Sequence, residues 1–178
     1  MNILEKMTGT TQSPRRVGGA EVIWSWIGAF LGIALVGAFQ SMIVDSIGQS
    51  LLIGSFGATA VLVYGAIRSP LAQPRNVLGG HVLSALVGVL SYQIAGDIIW
   101  LAAAIAVATA IALMHVTKTL HPPGGATTLI AVIGGDSIHH LGYYYALIPV
   151  GLGALLLLAV ALLVNNLQPR RRYPEFWF

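Results

Sequence analysis

Cysteine is missing from this 178-residue chain, and charge is scarce: only 8% of residues are Asp, Glu, Lys or Arg. Without cysteine there are no disulfides, no thiol nucleophile and no cysteine-ligated metal. A soluble globular chain carries about 25% charged residues, so a water-soluble domain of this length does not fit. Between Val22 and Asn165 the only charges are Asp45, Arg68, Arg75, Asp97, Lys118 and Asp136. Ten-residue stretches of alternating polarity, which a membrane β-barrel needs, are also lacking. Acidic residues are confined to loops and tails, so no carboxylate pair lies within an apolar run for acid–base or metal chemistry. A Walker-type phosphate loop is absent as well, so ATP-driven transport would need another subunit. An enzyme is not expected, nor a cofactor.

What remains is apolar. Hydrophobic residues make up 56% of the chain and mean hydropathy is +0.81, which describes an all-α integral membrane protein crossing the bilayer several times. The pI near 9.5 reflects a net charge of only +3, spread along the chain. These bases read as membrane-flanking charges, not as a nucleic-acid footprint.

Six apolar segments are expected. Residues 22–44, 77–95, 98–117 and 142–164 are long enough to span a hydrocarbon core, which takes about 20 helical residues. Residues 50–67 and 121–135 are shorter and interrupted by glycine or proline. A polar tail, residues 1–21, precedes one transmembrane domain, residues 22–166, and a basic, aromatic tail follows over 167–178. The first tail has no apolar core or small-residue cleavage site, so it reads as mature cytoplasmic chain and not as a secretory signal. The second, with Arg170, Arg171, Arg172, Phe176, Trp177 and Phe178, is expected to lie at the cytoplasmic headgroup surface.

Charge sets the expected topology. With a cytoplasmic amino terminus and six crossings, all nine Lys and Arg fall inside, while Asp45, Asp97 and Asp136 fall outside. That satisfies the positive-inside rule. Four crossings would put Arg68 and Arg75 outside. A short repeat agrees with six: Gly57-Ala58-Thr59-Ala60-Val61-Leu62 matches Gly125-Ala126-Thr127-Thr128-Leu129-Ile130 at an offset of 68. Each copy sits in the middle segment of a three-segment half, about 22–96 and 97–166, and three crossings per half invert one half against the other. Two short, interrupted segments at corresponding positions of inverted halves point to a midplane binding site.

His121-Pro122-Pro123-Gly124-Gly125-Ala126-Thr127 resembles the signature of the HPP family of integral membrane proteins. The stretches from Gly54 to Ala60, Ser69 to Asn76 and Gly79-Gly80-His81 agree with it, as do Asn165-Asn166 and Tyr173-Pro174. The resemblance runs from about Trp24 onward. It implies a membrane protein whose cyanobacterial and plastid relatives are associated with nitrite transport, and a family usually described with four membrane helices. A prokaryotic plasma membrane is the expected location.

The residues themselves lead to an anion. Proline is tolerated in a first helical turn, so Pro122-Pro123 reads as a helix start, with Gly124 and Gly125 leaving backbone N–H groups open. A helix start at membrane depth offers free N–H groups and partial positive charge to a small anion, and Thr127 and Thr128 add hydroxyls. In the second segment Ser55 is expected to cap a helix near Gly57, with Thr59 supplying the hydroxyl. In inverted halves the two helix starts would point at one another. Arg75, His81 and Lys118 are expected to form a cytoplasmic vestibule, His115 lies on the same side, and His121 joins the site. The competing reading is that glycine and small residues only let helices pack closely, and that interfacial histidines only bond backbone carbonyls. Gly28, Gly32, Gly151 and Gly153 are assigned to packing. His139-His140, without a nearby carboxylate, are a weak metal signal.

The expected function is passage of a small inorganic monovalent anion, nitrite first, by a homo-oligomer embedded in the lipid bilayer. The alternative is a non-transporting membrane module that anchors or regulates a partner.

Overall fold

The computed structural model describes residues 2–8, 11–44 and 52–178, and these are helical with no strand. Asp45, the first of the expected outer acids, lies outside the described residues. Six helices carry the architecture: α1 (Gly19–Phe39), α2 (Ser55–Ala60), α3 (Pro74–Ala95), α4 (Ile99–Val116), α5 (Pro122–Ile133) and α6 (Leu152–Leu167). A wide turn extends α2 to Gly65. Four stretches are long and apolar enough to cross a membrane: Gly19–Met42, Pro74–Ala95, Ile99–Val116 and Gly142–Leu167. Ser55–Gly65 and Pro122–Ile133 are the shorter apolar helices.

The pattern of small residues explains the packing. Helix α4 buries one stripe, Ala102, Ala106, Ala110 and Met114, at i, i+4 spacing. Helix α1 does the same with Gly28, Gly32 and Val36. The faces around those stripes are apolar and exposed, as lipid-facing surface should be. Helices α3 and α6 are central. Helix α3 packs against α4 and α5, and α6 against α1. Gly28 and Gly32 face the Tyr64 ring, and Gly153 faces Phe56, in agreement with the packing role expected of them.

Two boundaries differ from the sequence reading. Helix α3 begins at Pro74, three residues early, because proline with its preset φ is well placed in a first turn. The last apolar run is not one continuous helix. Gly142–Ala146 forms a tight turn, Ile148 is extended at φ −134 and ψ 120, and the regular helix starts only at Leu152. Pro149, which has no N–H to give and crowds the preceding turn, accounts for the break.

The carboxyl-terminal tail turns Arg171 and Tyr173 into the end of the bundle and leaves Arg170, Arg172, Trp177 and Phe178 exposed. Arg171 is buried, with its guanidinium 2.6 Å from Glu21 Oε1, and it donates to Tyr64 O, Ser25 Oγ and Asn165 Oδ1. Asn166 Nδ2 donates to Tyr173 O at 2.5 Å and its Oδ1 accepts from Tyr173 N at 3.1 Å. The Tyr173 hydroxyl donates to Ala72 O at 2.6 Å, and burial holds that phenol above its usual range, so it stays a donor. This clasp gathers the start of α1, the end of α2 and the start of α3 at one end of the bundle.

Candidate functional site: a buried threonine–histidine network

Helices α2 and α5 meet along their flanks, and α3 closes the junction. Helix α5 starts after His121, which is extended at φ −143 and ψ 103 and is followed by two prolines with no N–H to satisfy. This backbone places the His121 ring against α2 and not in a helical register. On α3, His81 lies two turns in from Pro74 and faces the same junction.

The side chains form one connected network. Thr59 Oγ1 lies 2.7 Å from His81 Nε2 and 3.1 Å from His121 Nε2. Thr127 Oγ1 lies 2.7 Å from His81 Nδ1 and 2.9 Å from Ser55 Oγ. His121 Nδ1 is 2.8 Å from the Leu71 carbonyl, and the Tyr145 hydroxyl donates to Thr127 O at 3.1 Å. The imidazoles stand edge to face with centroids 4.8 Å apart, and Phe56 presents its edge to His81 at 5.5 Å. Ser55, Thr59, His81, His121 and Thr127 are sealed from solvent. Buried polar groups are retained when they are hydrogen-bonded, and every imidazole nitrogen here has a partner.

The repeat gains geometric meaning. Thr59 and Thr127 are its equivalent positions, 68 apart, and they hold the two nitrogens of one ring, His81. Position 149, 68 beyond His81, is Pro149. The halves therefore share the threonines but not the histidine between them.

The expected site residues divide. Ser55, Thr59, Thr127 and His121 come together. Thr128 faces α3 instead, donating to Ser84 O at 3.1 Å. Gly124 packs under α3, where an added Cβ would sit 2.7 Å from Ser84 Oγ. Gly57 and Gly125 point away from the network into open space, because they lie two residues before Thr59 and Thr127, on the opposite helix face. Ser55 is the first helical residue and caps nothing; its hydroxyl goes to Thr127. The helix starts do not point at one another: Ser55 lies beside Thr127, well inside α5, and His121 beside Thr59, inside α2.

The expected vestibule divides as well. Arg75 and Lys118, joined by His115, Asn76 and Leu71, line a hollow of about 540 Å3. Arg75 Nη2 donates to Thr117 O at 2.7 Å, and Asn76 Oδ1 is buried without a partner among the described residues. His81 is not there: its place on α3 turns it into the network. His121 touches the hollow only through its bond to the Leu71 carbonyl. His139 stacks on Tyr92 with centroids 3.6 Å apart and lies 3.0 Å from Val132 O. No group of three metal-ligating side chains gathers among the described residues.

Sequence reasoning missed the pairing of His81 with His121. The signal was present in Gly80, whose missing side chain lets α3 approach α5: a Cβ there would sit 2.6 Å from His121 Cβ. Arg171 with Glu21 was missed too. Its signal was one acid at the start of the first apolar run and one base beyond the last.

Comparison with known proteins agrees with the motif resemblance. No solved structure matches the chain. A transmembrane protein of Dictyostelium discoideum is 43% identical over 98% of the chain, and a second from the same organism is 41% identical over 96%. The chain spans 57% and 61% of the length of these curated relatives. The HPP transmembrane region matches residues 14–174, which takes in all six helices and the Arg171–Tyr173 clasp, and the chain belongs to the HPP family.

Proposed function

We propose that this chain is a permease for a small monovalent anion, nitrite first, working without ATP hydrolysis of its own and without enzymatic chemistry. The observation that carries the reading is the Ser55–Thr59–His81–His121–Thr127 network. It is a cluster of hydroxyl and imidazole donors buried where the two short helices meet. Such a cluster suits a weakly hydrated anion, which can take hydrogen bonds from neutral donors that otherwise bond one another. Non-helical backbone at membrane depth, as at His121, is tolerated where it lines a pathway or is buried in protein.

Six crossings in two inverted halves are part of this proposal, and several contacts support them. Leu52 N donates to Gln40 Oε1, so α2 sets out near the far end of α1, and it finishes at Tyr64, beside Glu21. Helix α5 sets out beside Leu71 and finishes near His139 and Tyr92. These contacts favour a crossing by each short helix. In that orientation Arg75 and Lys118 face the cytoplasm with both tails, and the hollow they line is the anion's approach. The exposed apolar faces of α1 and α4 leave room for a homo-oligomer.

A second reading, a non-transporting module that anchors or regulates a partner, is favoured by one observation: the network is closed, with no exposed atom at His81, Thr59 or Thr127. Nitrite flux into liposomes holding the purified chain separates the two. Saturable entry above protein-free vesicles, lost in His81→Ala protein that remains folded, supports the permease. Flux equal to empty vesicles for nitrite, nitrate, formate and chloride would leave the anchoring reading.

A further inference from the structure

Proton bookkeeping in the network leads to a second cargo. A carbonyl oxygen only accepts, so His121 carries a proton on Nδ1 for Leu71. With His121 neutral, its Nε2 is then an acceptor that needs a donor, and only the Thr59 hydroxyl is in reach. That hydroxyl has one hydrogen and also stands 2.7 Å from His81 Nε2. Two ring nitrogens compete for a single proton unless His81 carries its own on Nε2 and takes the Thr127 hydrogen on Nδ1. One arrangement therefore satisfies the neutral network.

An added proton has two homes. On His81, both ring N–H groups donate, to Thr59 and to Thr127, and the Thr127 hydrogen turns to Ser55 Oγ. On His121, both N–H groups donate, to Leu71 O and to Thr59, while the Thr59 hydrogen turns to His81 Nε2. In that state the His81 proton sits on Nδ1. The two states interconvert by one concerted step: the His121 Nε2–H bond breaks as its proton goes to Thr59 Oγ1, and Thr59 passes its own hydrogen to His81 Nε2. Nothing else is consumed. With the ring centroids 4.8 Å apart, two positive charges would repel, so the pair holds one proton.

The surroundings leave that proton available. Besides the partner ring, the Tyr145 hydroxyl reaches the network, and it is committed to Thr127 O. Arg75, Lys118 and His115 line the hollow beyond Leu71. Helix α1 contributes Glu21, which is paired with Arg171 at the end of the bundle. No Asp or Glu is buried among the described residues, so no fixed anion holds the charge in place.

We infer that His121, Thr59 and His81 form a proton relay, with the Thr59 hydroxyl as the bridge, that carries one proton with each anion. The coupling rests on the permease reading above; the relay itself does not. An anion crossing a region with no fixed cation is neutralised by the proton on the histidine pair, and the paired movement is electroneutral.

The test has two arms on the full chain in liposomes. In the first, nitrogen-15 histidine NMR is recorded during acidification, with signals assigned by difference from His81→Gln and His121→Gln. The expected result is one shared step for both rings, which splits into separate steps in Thr59→Val and is restored in Thr59→Ser. Independent titration of the two rings in the native chain, or no change in Thr59→Val, overturns the relay. In the second arm a nitrite gradient drives entry while an internal dye reports protons, with protein-free vesicles subtracted. Proton entry per nitrite falls about tenfold or more in Thr59→Val and returns in Thr59→Ser. Nitrite entry without proton entry in the native chain overturns the coupling and leaves the permease standing. Absence of nitrite entry removes the permease reading, and the first arm alone then decides the relay.

Discussion

The molecule has two buried polar clusters, and they are built on opposite principles. At the end of the bundle, Arg171 is held by Glu21, Tyr64 O, Ser25 and Asn165. Each nitrogen of the guanidinium has at least one acceptor, and the group itself can only donate. At the junction of α2, α3 and α5, the hydroxyl and imidazole side chains can each both give and take a hydrogen bond, and only the backbone carbonyls around them are limited to accepting. The first cluster carries a permanent charge; the second is neutral at rest and offers two homes to an added proton. A charged, saturated cluster suits holding chain ends together. A neutral cluster of exchangeable hydrogens suits a site whose occupancy changes.

Mutation should separate the two. Arg171→Ala leaves the Glu21 carboxylate and the Tyr64 carbonyl without their donor. Removing one partner of a buried pair costs 3–5 kcal/mol, and because the Glu21 side chain is 33% exposed a loss of about 3 kcal/mol is expected. The thermal midpoint in detergent should fall accordingly, while nitrite flux per folded molecule stays the same. A flux loss as large as that of His81→Ala would erase the distinction between the clusters.

Next in size is Gly80→Val. The new Cβ would meet His121 Cβ at 2.6 Å and Thr119 O at 2.8 Å. Overpacking of this kind costs about 1–3 kcal/mol, and here it also moves His121 away from Thr59. Both stability and flux should fall, making this the variant that joins the two measurements.

Thr59→Val and Thr127→Val compare the two halves within the network. Each removes a hydroxyl from a fully buried site, at about 1–3 kcal/mol. Thr59 serves two rings and Thr127 one, so Thr59→Val should lose more flux at similar stability. Equal losses would mean that His81 alone matters and that the bridge to His121 carries nothing.

How much of this was legible follows from what kind of signal each feature leaves. The apolar runs, their breaks at glycine and proline, and the positions of Thr59, Thr127 and His121 are local facts of composition and spacing, and they were readable. The direction of a side chain was not. Gly57 and Thr59 are two residues apart in one motif, yet helical geometry sends them to opposite faces, and nothing in the motif says which face is inside. By sequence alone His81 belongs with the vestibule, since six crossings put it near the cytoplasmic end of its segment, on the side of Arg75 and Lys118. Only the packing of α3 on α5, which Gly80 permits, reveals that it faces inward. The clasp was hidden for another reason. Arg171 stands between two other arginines in a tail whose composition fits a membrane surface, and its partner is 150 residues away.

The smallest expected effect bears most directly on where the site is. Gly57→Val and Gly125→Val each add a side chain where, beyond the adjoining residues and the helix's own backbone, nothing lies within 4 Å of the new Cβ. Valine is a better helix former than glycine, so the change in stability should stay within about 0.5 kcal/mol, as for surface substitutions. If the repeat's glycines served as open backbone around an anion, either substitution would block flux. The hydrogen-bonded threonines lie on the opposite face of each helix, so flux should instead remain close to native. The pair thus divides one six-residue repeat into a working face and a lipid or partner face. A strong flux loss in Gly125→Val protein of unchanged stability would move the site out of the network and onto the outer face of α5.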